Sequence, residues 1–257
     1  MVSLYSAPVN AQHANYAHYA SAAVEFDSLV KLSKQTGEMP RISSPKAAEL
    51  IAILSDRQRF LDSTKYTIAN LDDLMNLCST ANAVVMSYVL FDVKNLVNQD
   101  SQPNKSTETN EGVLKVIKAN AVDFHEELTA LQPFLLHCVA QQIPLMNQFI
   151  ENLSPEGLTN IRRSGLTSTR ENIFTTYFGF LQMAQGAEPG IRYHSVLLNT
   201  LAATAQAFAS GFRPLDRRKI LDLVDEIGDA RTPGARHWGE EIKSAMFKPF
   251  CIGLCRF

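Results

Sequence analysis

YHSVLLNTLAATAQAFASGF, residues 193–212, holds no Asp, Glu, Lys or Arg, yet Ser195, Asn199, Gln206 and Ser210 interrupt its apolar residues. Leu197, Leu201, Ala205, Phe208 and Phe212 recur at steps of three and four. They therefore share one face of an α-helix, with the polar residues on the opposite face. Four further stretches lack charge in the same way: Met1–Val24, Leu74–Phe91, Leu128–Ile150 and Asn172–Ala187. Each is long enough to cross a small domain as a helix. None reads as a membrane span, because Asn, Gln, Ser, Thr or His recurs inside every one. Charge-poor segments dotted with polar residues are expected of helices whose neighbours cover most of their surface. The chain therefore reads as all-α: one globular bundle of about eight to ten helices spanning 1–257.

Outward from these stretches, caps and breakers divide the chain. Tyr16, Tyr19, Ala23, Phe26 and Val30 form a stripe that Gly37 is placed to stop. Ser44–Pro45 opens a helix through Leu50, Ile51 and Leu54, and Asn70 can cap the next, with Asp72 and Asp73 in its positive first turn. NQDSQPNKSTETNEG, residues 98–112, has almost nothing to bury and is expected to be a mobile loop, the sole candidate boundary. Pro133 should restart a helix and Pro144 should kink it. Ser154–Pro155 reads as another start, Ser168 with Glu171 as a capping box, Pro214 as the opening of a short amphipathic helix, and Thr232–Pro233 as the opening of the last. No segment alternates with period two, so no sheet is expected.

Composition narrows the function classes. A net charge of -2 carries no footprint for nucleic acid or an anionic membrane. Charged residues make up 19% of the chain, fewer than soluble domains usually carry, so covered helix surface and self-association into a homo-oligomer are expected. Cys78, Cys138, Cys251 and Cys255 are too scattered for a disulfide scaffold, and Cys251 and Cys255 read as buried, inert thiols. The start lacks the basic and apolar regions of a signal peptide, so a reduced, cytoplasmic protein is expected.

Candidate chemistry is sparse. His194 shares an apolar face with Leu197, Leu198 and Leu201, either as a hydrogen-bonded core residue or as a metal or haem ligand. Aromatic residues of the preceding segment, Tyr177 and Phe178 among them, could face it, and Arg170, Arg192 and Arg213 near the helix ends could serve propionates. His13 and His18 are either pocket groups or surface residues. His237 and Glu241, at i and i+4, offer at most two metal ligands, and Asp72–Asp73 with Asn76 is only part of the aspartate-rich magnesium motif of prenyl and terpene enzymes. No Walker loop, G-x-S-x-G or G-x-G-x-x-G occurs.

Arg192–Tyr193–His194, leading into an apolar helix, resembles the surroundings of the axial histidine in the all-α haem dioxygenases acting on tryptophan and indoleamines. The span Ile161–Leu221 is similar in rhythm to their haem-dependent aromatic hydroxylase relatives. The resemblance implies haem b, molecular oxygen or peroxide, and a small aromatic, amino-acid-like substrate. On this reading His194 is the proximal ligand, Arg192, Arg213, Tyr177 and Phe178 are the candidate haem-binding residues, and His13 and His18 are the candidate catalytic groups. Beside this haem-dependent oxygenase stands an alternative, a non-catalytic all-α protein–protein interaction factor such as an adaptor, immunity or regulatory protein.

Overall fold

The computed structural model describes residues 8–93, 106–187, 191–229, 235–247 and 251–257. Among them are nine α-helices and no strand. We label the helices α1 (Pro8–Thr36), α2 (Pro45–Leu54), α3 (Leu71–Val89), α4 (Ser106–Asp123), α5 (His125–Glu151), α6 (Asn160–Gly186), α7 (Arg192–Gly211), α8 (Pro214–Asp229) and α9 (Ala235–Met246). Contacts group the chain into two compact units: Met1–Tyr66 with Asp72–Leu135, and Thr67–Leu71 with Leu136–Phe257.

In the first unit, Tyr19 of α1 is fully buried between Phe134, stacked at 5.3 Å, and Phe60, edge-on at 5.1 Å. Its hydroxyl donates to the Leu54 carbonyl at the end of α2. Tyr88 of α3 is likewise fully buried, packs on Phe26 and Phe124, and donates to the Pro40 carbonyl. Each ring thus brings large apolar area and sends its one polar atom to a backbone carbonyl. Asn120 closes the end of α3 by donating to the carbonyls of Val89 and Phe91. Gly37 stops α1 as expected, at φ +77°.

The segment after Gly37 is tied down by a buried carboxylate. Glu127, 2% exposed, accepts from the Ile42 amide at 2.8 Å and lies 3.7 Å from the Arg41 guanidinium. Arg41 covers the Phe124 ring and donates to the Asp123 carbonyl.

In the second unit, α6 and α7 meet through aromatic rings. Tyr177 lies 4.6 Å from Phe208 and 5.8 Å from Phe212, and its hydroxyl donates to the Leu201 carbonyl. Leu201 and Phe208 have no exposed surface, as their place on the apolar stripe requires. Ile220, Val224 and Ile227 of α8 and Trp238 and Ile242 of α9 are also buried. Arg170 of α6 and Asp216 of α8, 1% and 3% exposed, form an ion pair inside this unit.

Several local expectations need correction. Residues 98–105 of the expected loop lie outside the described residues, but α4 already begins at Ser106, so residues 106–112 are helical. α5 does not restart at Pro133 but runs from His125 to Glu151 as one element, because burial of Phe134, Leu135 and Leu136 outweighs the local cost of that proline. Ser168 and Glu171 are mid-helix. α6 is instead capped by Thr159, whose hydroxyl accepts from the Arg162 amide, and Ser154–Pro155 forms a single 3-10 turn before it. The Asn70 cap belongs to a 3-10 turn, in which Thr67 and Asn70 make a reciprocal capping box directly ahead of α3. Thr232–Pro233 lies outside the described residues.

Candidate functional site

His194 sits in the first turn of α7, 4% exposed, with its backbone N–H on the Ile191 carbonyl. Burial penalises the charged imidazolium and moves its pKa below the ordinary 6.5. The folded state therefore holds a neutral ring, which is the form that can ligate a metal and equally the form that suits a core. The sign of the pH dependence follows. His194 contributes its full share of stability above about pH 6.5, and loses it as pH falls through the depressed folded value. We expect the wild type to lose stability over that window in denaturation experiments at stepped pH, and His194→Phe to lose less. Equal slopes for the two proteins would refute the assignment.

The side chains assigned to a haem by the resemblance are otherwise engaged. Tyr177 is wholly enclosed by Phe208, Phe212 and its own hydrogen bond, and burial raises its phenol pKa well above 10. Phe178 stacks on Phe174 at 5.3 Å. Arg213 donates to the Asp216 carboxylate through its amide and Nε, and Arg192 is exposed on the opposite side of the helix turn from buried Tyr193 and His194. As packed, these residues do not fit a haem, since the rings that would face it are filled by one another. His18 belongs to the other unit, is exposed, and lies against Phe60 at 6.1 Å. His13 lies on α1, with its side chain outside the described residues.

Cavities of note lie elsewhere. One of about 450 Å³ runs between α1 and α3, walled by residues that include Tyr16, Ala20, Val24, Ser79 and Ala83. Another, of about 470 Å³, lies between α7 and α9 and has His237, Glu240, Glu241, Gln206 and Ser244 in its wall. Neither wall includes His194. His237 and Glu241 do share a face, as their spacing implies, but no group of three His, Cys, Asp or Glu able to hold a metal occurs among the described residues. Asp72 and Asp73 open α3, where the helix dipole favours them. Burial, with Asp73 adding to it, pushes the Tyr66 phenol up to about 12.

The cysteines depart from expectation. Cys251 and Cys255 are not thiols but a disulfide, with Cα atoms 5.2 Å apart, and Cys78 and Cys138 are also disulfide-bonded. The reduced state expected of them is thereby overturned. The spacing of four residues allows the 251–255 bond because Gly253, at φ +55°, turns the chain back on itself.

Three features were not legible beforehand: the buried carboxylate of Glu127, the Arg170–Asp216 pair and the docking of Gly253 on Asn147. A charge inside an otherwise apolar stripe was the available signal for Arg170, which Ile173 and Tyr177 follow at i+3 and i+7. Glu127 and Gly253 offered none. No family model, curated protein or solved structure matches the chain. No helix among the described residues is long and apolar enough to cross a membrane.

Proposed function

We propose that this chain is a non-catalytic all-α interaction protein of the adaptor or regulatory kind, and that it pairs with a second copy of itself through the α1–α3 face. The observation that carries this reading is the groove between those helices, whose wall holds a single charged side chain, Asp27, among the described residues. Helix faces left open to water ordinarily carry charge. Here the open faces fall largely in two of the charge-free stretches, and Asp27 is the one charged residue in the wall. Val24 stands out of the surface at 67% exposure beside the small side chains of Ala20 and Ala23, and Ser79 and Ala83 of α3 line the same groove. A ridge and a hollow on one patch are self-complementary, which is what a two-fold interface needs.

Sedimentation equilibrium tests it. We expect wild type to dimerise, and Val24→Glu with Ala83→Glu to be monomeric with an unchanged thermal melt, both positions being exposed. A monomeric wild type, or a double variant that still dimerises, would overturn the proposal.

A second reading, the haem-dependent oxygenase acting on a small aromatic substrate, rests on the buried, neutral imidazole of His194. It requires the α6–α7 aromatic packing to open. Haemin titration decides it: a Soret band that is lost in His194→Ala supports the oxygenase, and no band in wild type excludes it.

A further inference from the structure

The last residues of the chain form a small docked structure. The Gly253 amide donates to Glu151 Oε1 at 3.0 Å, and the Leu254 amide to Asn147 Oδ1 at 2.9 Å, both acceptors lying on the last turns of α5. Asn147 Nδ2 in turn donates to Ser210 Oγ of α7, and Arg256 pairs with Glu151 at 3.1 Å. Leu254 is fully buried and approaches Gly211 at the end of α7. A Cβ on Gly253 would collide with the Asn147 backbone, so the fit admits only glycine there.

The disulfide holds this turn in shape, since Cys251 and Cys255 bracket the two amides that make the contacts. Its two ends differ in access. Cys251 is exposed, whereas Cys255 is 2% exposed. Cys251 is therefore the end of the bond more open to an outside thiol.

We propose that Cys251–Cys255 is a thiol–disulfide exchange site, and that its reduction unlatches residues 251–257 from α5 and α7. The co-reactant is a dithiol. Its thiolate attacks Cys251 Sγ, the S–S bond breaks, and the electron pair leaves on Cys255 as a thiolate, giving a mixed disulfide at Cys251. The second thiol of the dithiol then attacks its own sulfur in that mixed disulfide and releases the Cys251 thiolate. Both protein sulfurs take up protons, and the dithiol leaves as a cyclic disulfide. A thiolate is poorly tolerated in the apolar site that holds Cys255 and Leu254, which favours withdrawal of the segment as the bond opens.

The test is a dithiothreitol titration of native protein, with maleimide labelling and hydrogen exchange read together. Cys251 and Cys255 should label at reductant levels that leave buried Cys78 and Cys138 unlabelled. In step with that labelling, the Gly253 and Leu254 amides should exchange at least about tenfold faster while the α7 amides keep their rates. Cys251→Ser should show the same fast exchange without reductant. Gly253→Ala should show it with the disulfide intact, which separates undocking from bond cleavage. The proposal is overturned if the pair labels only on global unfolding, or if the two amides stay protected after reduction and in Cys251→Ser.

Discussion

Arg170→Ala is expected to lower folding stability by about 3–5 kcal/mol, read from urea denaturation. The guanidinium of Arg170 is 1% exposed and meets the Asp216 carboxylate at 2.5 Å, with Glu171 at 3.1 Å on its other nitrogen. Removing it leaves Asp216 buried, with the half-exposed Arg213 still paired to it. The loss is thus mostly the cost of a stranded charge rather than the worth of the pair. Two controls follow from that account. Arg170→Met with Asp216→Leu should recover most of the loss, because no charge is then left buried. Raising the salt should change the wild-type stability little, because a pair this enclosed is poorly screened. A loss below about 1 kcal/mol in Arg170→Ala would mean that water reaches Asp216 and that the pair behaves as a surface bridge.

Phe208→Ala should cost about 3–5 kcal/mol, the usual range for deleting a fully enclosed aromatic ring. Phe208 has no exposed surface and touches Tyr177 at 4.6 Å and Phe212 at 6.0 Å. Its removal opens a cavity at the α6–α7 contact while leaving the Tyr177 hydrogen bond to Leu201 geometrically possible. Phe208→Leu, which keeps much of the volume, should cost clearly less. Equal melts for wild type and Phe208→Ala would place this ring outside the cooperative core. The same cavity bears on the oxygenase reading. If opening the aromatic packing creates a haem slot, Phe208→Ala should bind haemin better than wild type despite its lower stability.

The two proposals fail independently. A monomeric wild type removes the α1–α3 interface and leaves the latch at 251–257 standing. A tail that stays protected after reduction removes the latch and says nothing of the groove. Each rests on its own set of contacts in a different unit.

The helical class, the stripe Leu197–Leu201–Ala205–Phe208–Phe212 and the stop at Gly37 follow from sequence alone, because periodicity and glycine chemistry act within a few residues. Local signals failed where burial outweighed them. Pro133 removes one helical hydrogen bond, yet the residues around it are buried on enough sides to carry α5 through. Ser168 and Glu171 have the spacing of a cap, but Thr159 starts the helix nine residues earlier, and a capping pair cannot act inside a formed helix. His194 was placed correctly on an apolar face; what faces that ring is set by residues distant in sequence. Tertiary structure alone decided that Tyr177, Phe208 and Phe212 fill one another's space, that Arg170 finds Asp216, and that Cys251 meets Cys255 over a glycine seated on Asn147. The meeting of Tyr177 with Phe208, of Arg170 with Asp216 and of Gly253 with Asn147 joins segments whose separation along the chain carries no local signal, and a side chain's chemistry is set by the neighbours that arrive there.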